Sequence, residues 1–280
     1  MAAVESGPFS LVKWYMDLVT DAGDAFILYC ADMRWRGLSA TMGNLLESPN
    51  GASPRSRFSM GSYRLSSTPD EILVEHPRLK LSGRWQAITP PFRCTVYDGP
   101  EGSVVWNCMQ PSSRVTARVS GRALSGLGYA ECLTLTLPPW RLPMDQLRWG
   151  RFVCPDNSLA WIDWQGSYST SFAVLNGRRS ALESASEQMI TTSDAVLHIE
   201  PGVSLRSGRL GETILPGALA LRKLFPRSLF NVQEDKWKSL GTLTINGGKP
   251  TKQPEQTSTG WVIHEMVHWR EVREGTEWQP

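Results

Sequence analysis

Residues 128–152, GYAECLTLTLPPWRLPMDQLRWGRF, contain the pattern that decides the fold class. Apolar and polar residues alternate through 129–137 and again through 147–153, which is typical of half-buried β-strands. The segment 138–143, PPWRLP, separates the two runs. Because proline cannot donate to a sheet ladder, this segment predicts a break between two groups of strands.

The same alternation continues on both sides of this break. Turn residues separate further runs at 24–33, 57–66, 71–81, 103–110, 114–120, 158–166, 170–177, 194–200 and 259–269. Many short strands with regular turn signals predict an all-β chain. We expect two antiparallel β-barrels packed side by side with few short helices. The boundary falls within 138–145 and gives an N-terminal barrel, 1–140, and a C-terminal barrel, 141–280.

Local signals refine this prediction. Asn176-Gly177 and Asn246-Gly247 favour tight hairpin turns, because both residue types tolerate positive φ. The segments 180–189 and 217–225 are each expected to form a short helix. The polar segment 247–259 is expected to be a solvated loop.

Charge and cysteine content exclude several classes of protein. The chain has 29 basic and 27 acidic residues, a net charge of +2, which gives no basic surface for nucleic acid. No apolar run is long enough for a membrane span, and no secretory signal is visible. The 5 cysteines form no CxxC pair, so we expect buried free thiols and a cytoplasmic protein. The chain is expected to be a monomer or a homodimer.

The sequence HEMVH at 264–268 matches a zinc-protease motif that requires a helix. Its surroundings instead alternate with a period of two residues, which predicts a strand with His264 and His268 about 13 Å apart. No metal site is therefore expected. One face of this strand carries Trp261, Ile263, Glu265, Val267 and Trp269. On that face, Glu265 is predicted to form an internal ion pair or to line a cavity as a carboxylic acid with a raised pKa.

A second carboxylate lies in an apolar row. Tyr129 and Glu131 share a strand face that continues through leucines at 133, 135 and 137. A buried carboxylate must be paired or shift toward its neutral form. Arg151 is its predicted partner, either in a structural bridge between the barrels or in a functional acid or anchoring pair.

Asp163 raises the question of acid chemistry. It shares a strand face with Trp161 and is adjacent to Trp164. A carboxylic acid beside an aromatic ring suits protonation of an alkene and stabilisation of the resulting cation. An aspartate at a strand end is the equally supported alternative.

The segment 14–17, WYMD, also places a carboxylic acid close to aromatic residues, near the N-terminus. Trp14 faces one way, while Tyr15 and Asp17 face the other. Either set is expected to belong to the core or to a ligand-binding wall.

Segments 14–30, 128–152, 160–166 and 260–269 resemble the carotenoid 1,2-hydratase-like proteins, with the GY-x-E strand, the proline-rich crossing and the WGR string as the best parts. This lipocalin-like group includes attachment-operon proteins and decalin-forming Diels–Alderases. The resemblance implies two calycin-like barrels with a hydrophobic pocket in or between them, and reactions that need no cofactor. By the same resemblance, Tyr129 and Glu131 match the GY-x-E strand and Arg151 matches the WGR string.

The predicted function is a cofactor-independent cyclase, isomerase or hydratase acting on a hydrophobic polyene, terpenoid or polyketide intermediate. The predicted catalytic residues are Glu131, Asp163, Glu265 and Tyr129, and the predicted substrate-binding residues are Trp14, Tyr15, Arg151, Trp161, Trp164, Trp261 and His264. The alternatives are a lipid or hydrophobic-metabolite carrier without chemistry and a carbohydrate-binding protein with exposed tryptophans.

Overall fold

The computed structural model describes residues 9–213, 226–245 and 256–269. Two 10-stranded antiparallel sheets make up nearly all of this part of the chain. The first sheet contains β1 (Phe9–Val19), β2 (Ala25–Trp35), β3 (Leu38–Ser48), β4 (Arg55–Met60), β5 (Arg64–Ser67), β6 (Glu71–His76), β7 (Leu81–Ala87), β8 (Phe92–Gly99), β9 (Gly102–Val119) and β10 (Arg122–Leu135). The second contains β11 (Gln146–Val153), β12 (Ser158–Gln165), β13 (Thr170–Leu175), β14 (Arg178–Ser180), β15 (Leu182–Ala185), β16 (Met189–Thr192), β17 (Ala195–Ile199), β18 (Val203–Arg209), β19 (Gln233–Ile245) and β20 (Gln256–His268).

The two sheets repeat one topology. The first runs β4-β3-β2-β1-β10-β9-β7-β6-β5 with β8 paired to β9, and the second runs β14-β13-β12-β11-β20-β19-β17-β16-β15 with β18 paired to β19. Each strand of the second sheet thus has the same place in its sheet as the first-sheet strand whose number is lower by ten, so that β11 corresponds to β1. The all-β, two-barrel fold predicted from the sequence is confirmed. The division into domains 1–140 and 141–280 stays a prediction.

The period-two alternation distributes the apolar residues among three cores. One face of the first sheet fills the first barrel with residues such as Met16, Phe26 and Trp85. The corresponding face of the second sheet fills the second barrel, where Phe152 and Trp161 are buried. The opposite faces of both sheets meet in a third core between the barrels, which we call the inter-barrel core.

Helices are short in the described part of the chain: α1 (Leu210–Thr213), α2 (Arg227–Phe230), and single 3-10 turns at Pro77–Leu79 and Pro139–Arg141. None of the helices in this part has the length and apolar character of a membrane span. The 5 cysteines are free; Cys94 is half-buried and the others are buried.

The local predictions have mixed outcomes. The hairpin turn at Asn176-Gly177 is confirmed, with φ values of 49° and 78°. The helix at 180–189 is wrong, because this stretch ends β14, forms β15 and begins β16. Strand pairing with neighbours that the local sequence does not reveal overrides its weak helix propensity. The predicted loop 247–259 is wrong at 256–259, which begins β20. The rest of that loop, the helix at 217–225 and the turn at Asn246-Gly247 lie outside the described residues.

Candidate active site between the barrels

A cavity of about 350 Å³ lies between the two barrels. This volume is near the lower end of the range for small-molecule sites. Its lining comes from both halves of the chain and is mainly aliphatic and aromatic. Five tryptophans belong to it: Trp106, Trp140, Trp149, Trp164 and Trp269.

Strand alternation explains which residues reach the cavity. On β1 the lining residues are Phe9, Leu11 and Lys13, and on β20 they include Glu265 and Val267. On each strand, successive lining residues are at positions i and i+2, so they share the sheet face that points toward the other barrel. The face predicted for the strand around Glu265 is therefore confirmed, and it forms one wall of the cavity.

Two carboxylates, Glu234 and Glu265, line the cavity, and we call this part of the lining the charged wall. A buried lysine lies behind it. The Lys236 side chain has no exposed area, and its ammonium lies 5.6, 5.6 and 5.7 Å from the ring centroids of Tyr15, Tyr29 and Trp149. It forms an ion pair with Glu265 and contacts Glu234 Oε1 at 3.6 Å. The predicted ion pair of Glu265 is thus present, and Glu265 also lines the cavity.

Two further polar residues extend this charged wall. Arg206 Nη1 lies 3.4 Å from Glu234 Oε1, and Arg206 Nη2 donates to Asn44 Oδ1 at 2.6 Å. Because Asn44 is on β3 and Arg206 is on β18, this contact joins the two barrels. Arg206, Glu234, Lys236 and Glu265 form a chain of alternating charge.

The pKa values of this chain depend on burial and on charge. Burial lowers the pKa of Lys236 to about 8, although the carboxylate of Glu234 opposes the shift. Burial acts to raise the pKa of Glu234, but Lys236 and Arg206 together hold it below the ordinary value. Glu234 therefore stays ionised to lower pH than an exposed glutamate does, whereas Lys236 loses its proton at lower pH than an exposed lysine does.

Glu131 and Tyr129 form a second polar group, which adjoins the cavity through Trp106: neither residue is itself part of the lining, whereas Trp106 is. The Glu131 Oε2 atom accepts hydrogen bonds from Tyr129 Oη at 2.7 Å and from Trp106 Nε1 at 2.5 Å. A register irregularity between Gly128 and Glu131 leaves Tyr129 without a partner residue on β9. Such bulges redirect side chains. Here the bulge accompanies the placement of Tyr129 and Glu131 on the same inward face.

Burial raises the pKa of Glu131, and the hydrogen bonds from Tyr129 and Trp106 oppose the shift. The cations of Lys13 and Lys236 oppose it as well. Burial also raises the pKa of Tyr129 well above its ordinary value. Glu131 is therefore a carboxyl group that keeps its proton to higher pH than an exposed glutamate does.

The predicted pair of Glu131 and Arg151 is wrong. Arg151 Nε and Nη2 donate to the two carboxylate oxygens of Asp17 at 2.9 and 2.8 Å, and both side chains are buried. Tyr15 Oη also donates to Asp17, at 3.0 Å. Arg151 and Asp17 thus join β11 to β1, and Tyr15 packs in the inter-barrel core without being part of the cavity lining described above.

Strand β12 divides the tryptophans predicted as substrate-binding residues. Trp164 lines the cavity, but Trp161 and Asp163 are on the opposite face of the strand. Trp161 packs inside the second barrel over Gly150, where a side chain would collide with its ring. Asp163 is half-buried and accepts a hydrogen bond from Gln165. Neither Trp161 nor Asp163 lines the cavity.

Three other predicted residues lie away from the cavity. Trp14 packs against the core of the first barrel, and Trp261 packs at the edge of the inter-barrel core. His264 stacks on Trp237 with ring centroids 5.2 Å apart, and burial, followed by the charges of Lys236 and Arg148, lowers its pKa to about 4. His264 lies on the face of β20 that points into the second barrel, opposite to Glu265. Within the described residues, no group of histidine, cysteine and acidic side chains is arranged to hold a metal ion.

Four residues in or beside the cavity were not predicted from the sequence as site residues: Lys13, Tyr29, Glu234 and Lys236. A signal for two of them is present in the string QEDKWK at 233–238, where charged residues recur at every second position. On a strand, this spacing places Glu234, Lys236 and Lys238 on one face. All three are buried.

The tryptophan pattern bears on the carbohydrate-binding alternative. Of the 12 tryptophans, all but Trp278 lie in the described part of the chain, and each of these is buried or half-buried. This arrangement does not provide the exposed ring platforms that the alternative requires among the described residues. All of the described tryptophans except Trp237 pack in or against one of the three cores.

No protein-family model matches the chain, and no curated protein matches it in sequence. Solved structures do match. An AttH-like protein from Nitrosomonas europaea has 9% identity and a TM-score of 0.56, with 94% of this chain and 93% of that chain covered. Kievitone hydratase from Nectria haematococca has 11% identity and a TM-score of 0.53, with 94% and 90% covered. CghA, a Diels–Alderase, has 9% identity and a TM-score of 0.57, with 93% and 88% covered.

These similarities extend over nearly the whole of each chain. Because the identities are far below 25%, they establish the fold and leave the activity open. The resemblance identified in the sequence is confirmed at the level of the fold. The chain has the two-barrel, lipocalin-like architecture of the AttH-like protein, kievitone hydratase and CghA.

Proposed function

We propose that this protein is a cofactor-independent cyclase, isomerase or hydratase that acts on a hydrophobic polyene, terpenoid or polyketide intermediate. The observation that carries the proposal is the inter-barrel cavity, whose wall includes Trp106, the hydrogen-bond donor to Glu131, a carboxyl group with a raised pKa. Two of the proteins with this fold, kievitone hydratase and CghA, are enzymes.

The first step is folding of the substrate. A flexible apolar chain in the cavity is surrounded by rigid rings, among them Trp106, Trp149 and Trp164. Holding two reacting parts of a molecule in a near-attack geometry contributes several kcal/mol to a reaction, at an order-of-magnitude level. This contribution alone accelerates a cyclisation, which needs no proton transfer.

The second step is polarisation or protonation of the substrate. Glu131 in its acid form donates a proton or a hydrogen bond at the atom where negative charge or a new C–H bond develops. The faces of Trp106 and Trp149 stabilise a neighbouring positive charge. For hydration, water then adds to the cation and returns a proton to the Glu131 carboxylate. Tyr129 holds that carboxylate in place through its hydrogen bond.

Glu265 has a different role. Its ion pair with Lys236 fixes a dipole at the cavity wall. Substrate polar groups that meet this wall are oriented by it, which places the remainder of the chain along the apolar surface. Glu265 is therefore proposed as a binding residue, while Glu131 is proposed as the acid.

Product analysis tests the proposal. Purified protein is incubated with kievitone and with a linear polyene that carries a diene and a dienophile, and the products are separated by chromatography with mass spectrometry. Hydration adds the mass of one water, and cyclisation changes retention at constant mass. Glu131→Gln should strongly lower formation of a product that requires protonation, such as the hydration product, whereas Asp163→Asn, away from the cavity, should not. Unchanged turnover by Glu131→Gln rules out its role as the acid.

The alternative is a carrier of lipids or hydrophobic metabolites. One observation favours it: Lys236, Glu234 and Arg206 satisfy one another in the structure, which is what a stable, unreactive wall needs. A carrier binds the same compounds and returns them unchanged. The product analysis above therefore separates the two functions, which a binding assay does not.

The proposal places the protein in the cytoplasm. Its free cysteines support a reducing compartment. Fractionation of cells that express a tagged chain, with a blot of each fraction, checks this placement.

A further inference from the structure

Lys13 lines the cavity and differs from Lys236 and Arg206, the buried cations behind the cavity wall. It lies on β1 and has Leu133 and Ala31 as its neighbours across the sheet, both of which also line the cavity. Its ammonium lies 5.2 Å from the ring centroid of Tyr29. Within the part of the chain that the structure describes, no carboxylate forms a salt bridge with it. Lys236 and Arg206, in contrast, both have carboxylate partners.

The nearby carboxylates are already engaged. Glu234 contacts Arg206 and Lys236, and Glu265 pairs with Lys236. Glu131 accepts two hydrogen bonds at its Oε2 atom from neutral donors. The donors of Lys13 therefore face the cavity without a strong acceptor from these groups.

The rest of the cavity lining offers little to a polar ligand. Apart from Lys13, Tyr29, Asn44, Glu234 and Glu265, it consists of aliphatic residues, methionine, phenylalanine, tryptophan, one proline and one glycine. A ligand that fits both the Lys13 ammonium and the apolar lining has one charged end and one apolar end. An ammonium in a partly desolvated site favours an anionic oxygen, because charge-assisted hydrogen bonds are stronger than neutral ones.

We propose that Lys13 binds the carboxylate head group of an amphiphilic substrate whose apolar remainder extends along Trp106, Leu135 and Trp164. This inference rests on the proposed function and names the substrate class of the same cavity. It makes Lys13 a binding residue, because the charge it contacts is on the substrate and not on the reacting atoms.

A matched pair of probes tests this assignment. Decanoate and decanamide have the same chain and nearly the same head-group shape, but only decanoate is charged. Isothermal titration of the wild type should give an affinity for decanoate about tenfold higher than for decanamide. Lys13→Met should bind both probes equally, and Lys13→Arg should keep the preference. Arg55→Met, an exposed position on β4, serves as the control and should behave as the wild type does.

The outcomes distinguish the two proposals. Equal binding of decanoate and decanamide by the wild type overturns the role of Lys13 but leaves the apolar cavity as a binding site. A preference for decanoate that persists in Lys13→Met also overturns it. Absence of binding by both probes contradicts the inference together with the proposed function. Because the wild-type comparison needs no variant, poor folding of Lys13→Met does not weaken the test.

Discussion

Arg151 on β11 donates two hydrogen bonds, of 2.9 and 2.8 Å, to the carboxylate of Asp17 on β1. The two side chains are 1% and 0% exposed. A third donor, Arg151 Nη1, reaches the backbone oxygen of Trp261 at 2.7 Å. Since β1 and β11 hold equivalent places in the two sheets, this buried ion pair joins corresponding strands of the two barrels and fixes how the walls of the cavity face each other.

Removal of one member of this pair should destabilise the protein strongly. Asp17→Ala leaves the Arg151 charge buried without its partner, which typically costs about 3–5 kcal/mol. Urea unfolding followed by tryptophan fluorescence measures this loss. The double variant Asp17→Leu/Arg151→Met should lose less than Asp17→Ala, because it leaves no buried charge. The exposed pair of Arg64 and Glu75 is the matched control, and Glu75→Ala should cost about 0–1 kcal/mol. Equal losses for Asp17→Ala and Glu75→Ala would contradict the structural role of the buried pair.

The pairing of Asp17 with Arg151 illustrates what the sequence could predict. The alternation around each residue predicted a buried strand position, and both are buried. The partner of Arg151 could not be predicted, because β1 and β11 meet only through the packing of the barrels and no spacing in the chain reports that packing. Lys236 is an intermediate case: Glu234 shares its strand face at a spacing of two residues that the sequence shows, whereas Glu265 comes from β20 and could not be predicted as its partner.

The face of a strand was predictable where the alternation was strict. Glu265 was placed correctly among the large apolar residues of β20, and Tyr129 was placed correctly with Glu131. In β12, the three neighbours Trp161, Asp163 and Trp164 were all predicted at the site, although consecutive residues point to opposite faces of a strand. The alternation therefore shows that these residues divide between two faces, and the structure determines which face meets the cavity.

A pH profile should identify Glu131 as the acid. Burial raises the pKa of Glu131, and the acid form is the one that donates a proton. Turnover should therefore fall as the pH rises through that raised pKa. Substitution by glutamine removes the proton donor and should lower kcat by about 10²–10⁴-fold. Steady-state kinetics from acid to alkaline pH measure both effects. A variant Glu131→Gln with the same profile and the same kcat would exclude this role.

Lys236 should produce an alkaline dependence of stability. Burial lowers its pKa from 10.5 to about 8, so between these pH values the unfolded chain holds the proton more tightly than the folded protein does. Folding then releases a proton, and the wild type gains stability as the pH rises, by up to about 1.4 kcal/mol per pH unit. Lys236→Met should lack this gain. The test is urea unfolding of both proteins between pH 7 and pH 10.5. Identical slopes for the two proteins would refute the assignment.

Filling the cavity should block binding without unfolding the protein. Ala31 lines the cavity, so Ala31→Leu occupies space that a ligand needs. The affinity for an apolar ligand should fall by at least about tenfold, at little cost in stability, because the added methyl groups enter empty volume. Ala130, fully buried in the core of the first barrel, is the matched control. There, Ala130→Leu should destabilise by about 1–3 kcal/mol through overpacking. A large loss of stability in Ala31→Leu would show that the space at that site is filled.

We propose that the substrate binds in the space between the barrels and not in the interior of either barrel. A crystal structure of the protein grown with an apolar carboxylate ligand distinguishes these two locations. We expect ligand density between the sheets, with the apolar chain against Trp106, Trp149 and Trp164. Density inside the first or the second barrel, with the inter-barrel cavity left without ligand, would contradict it.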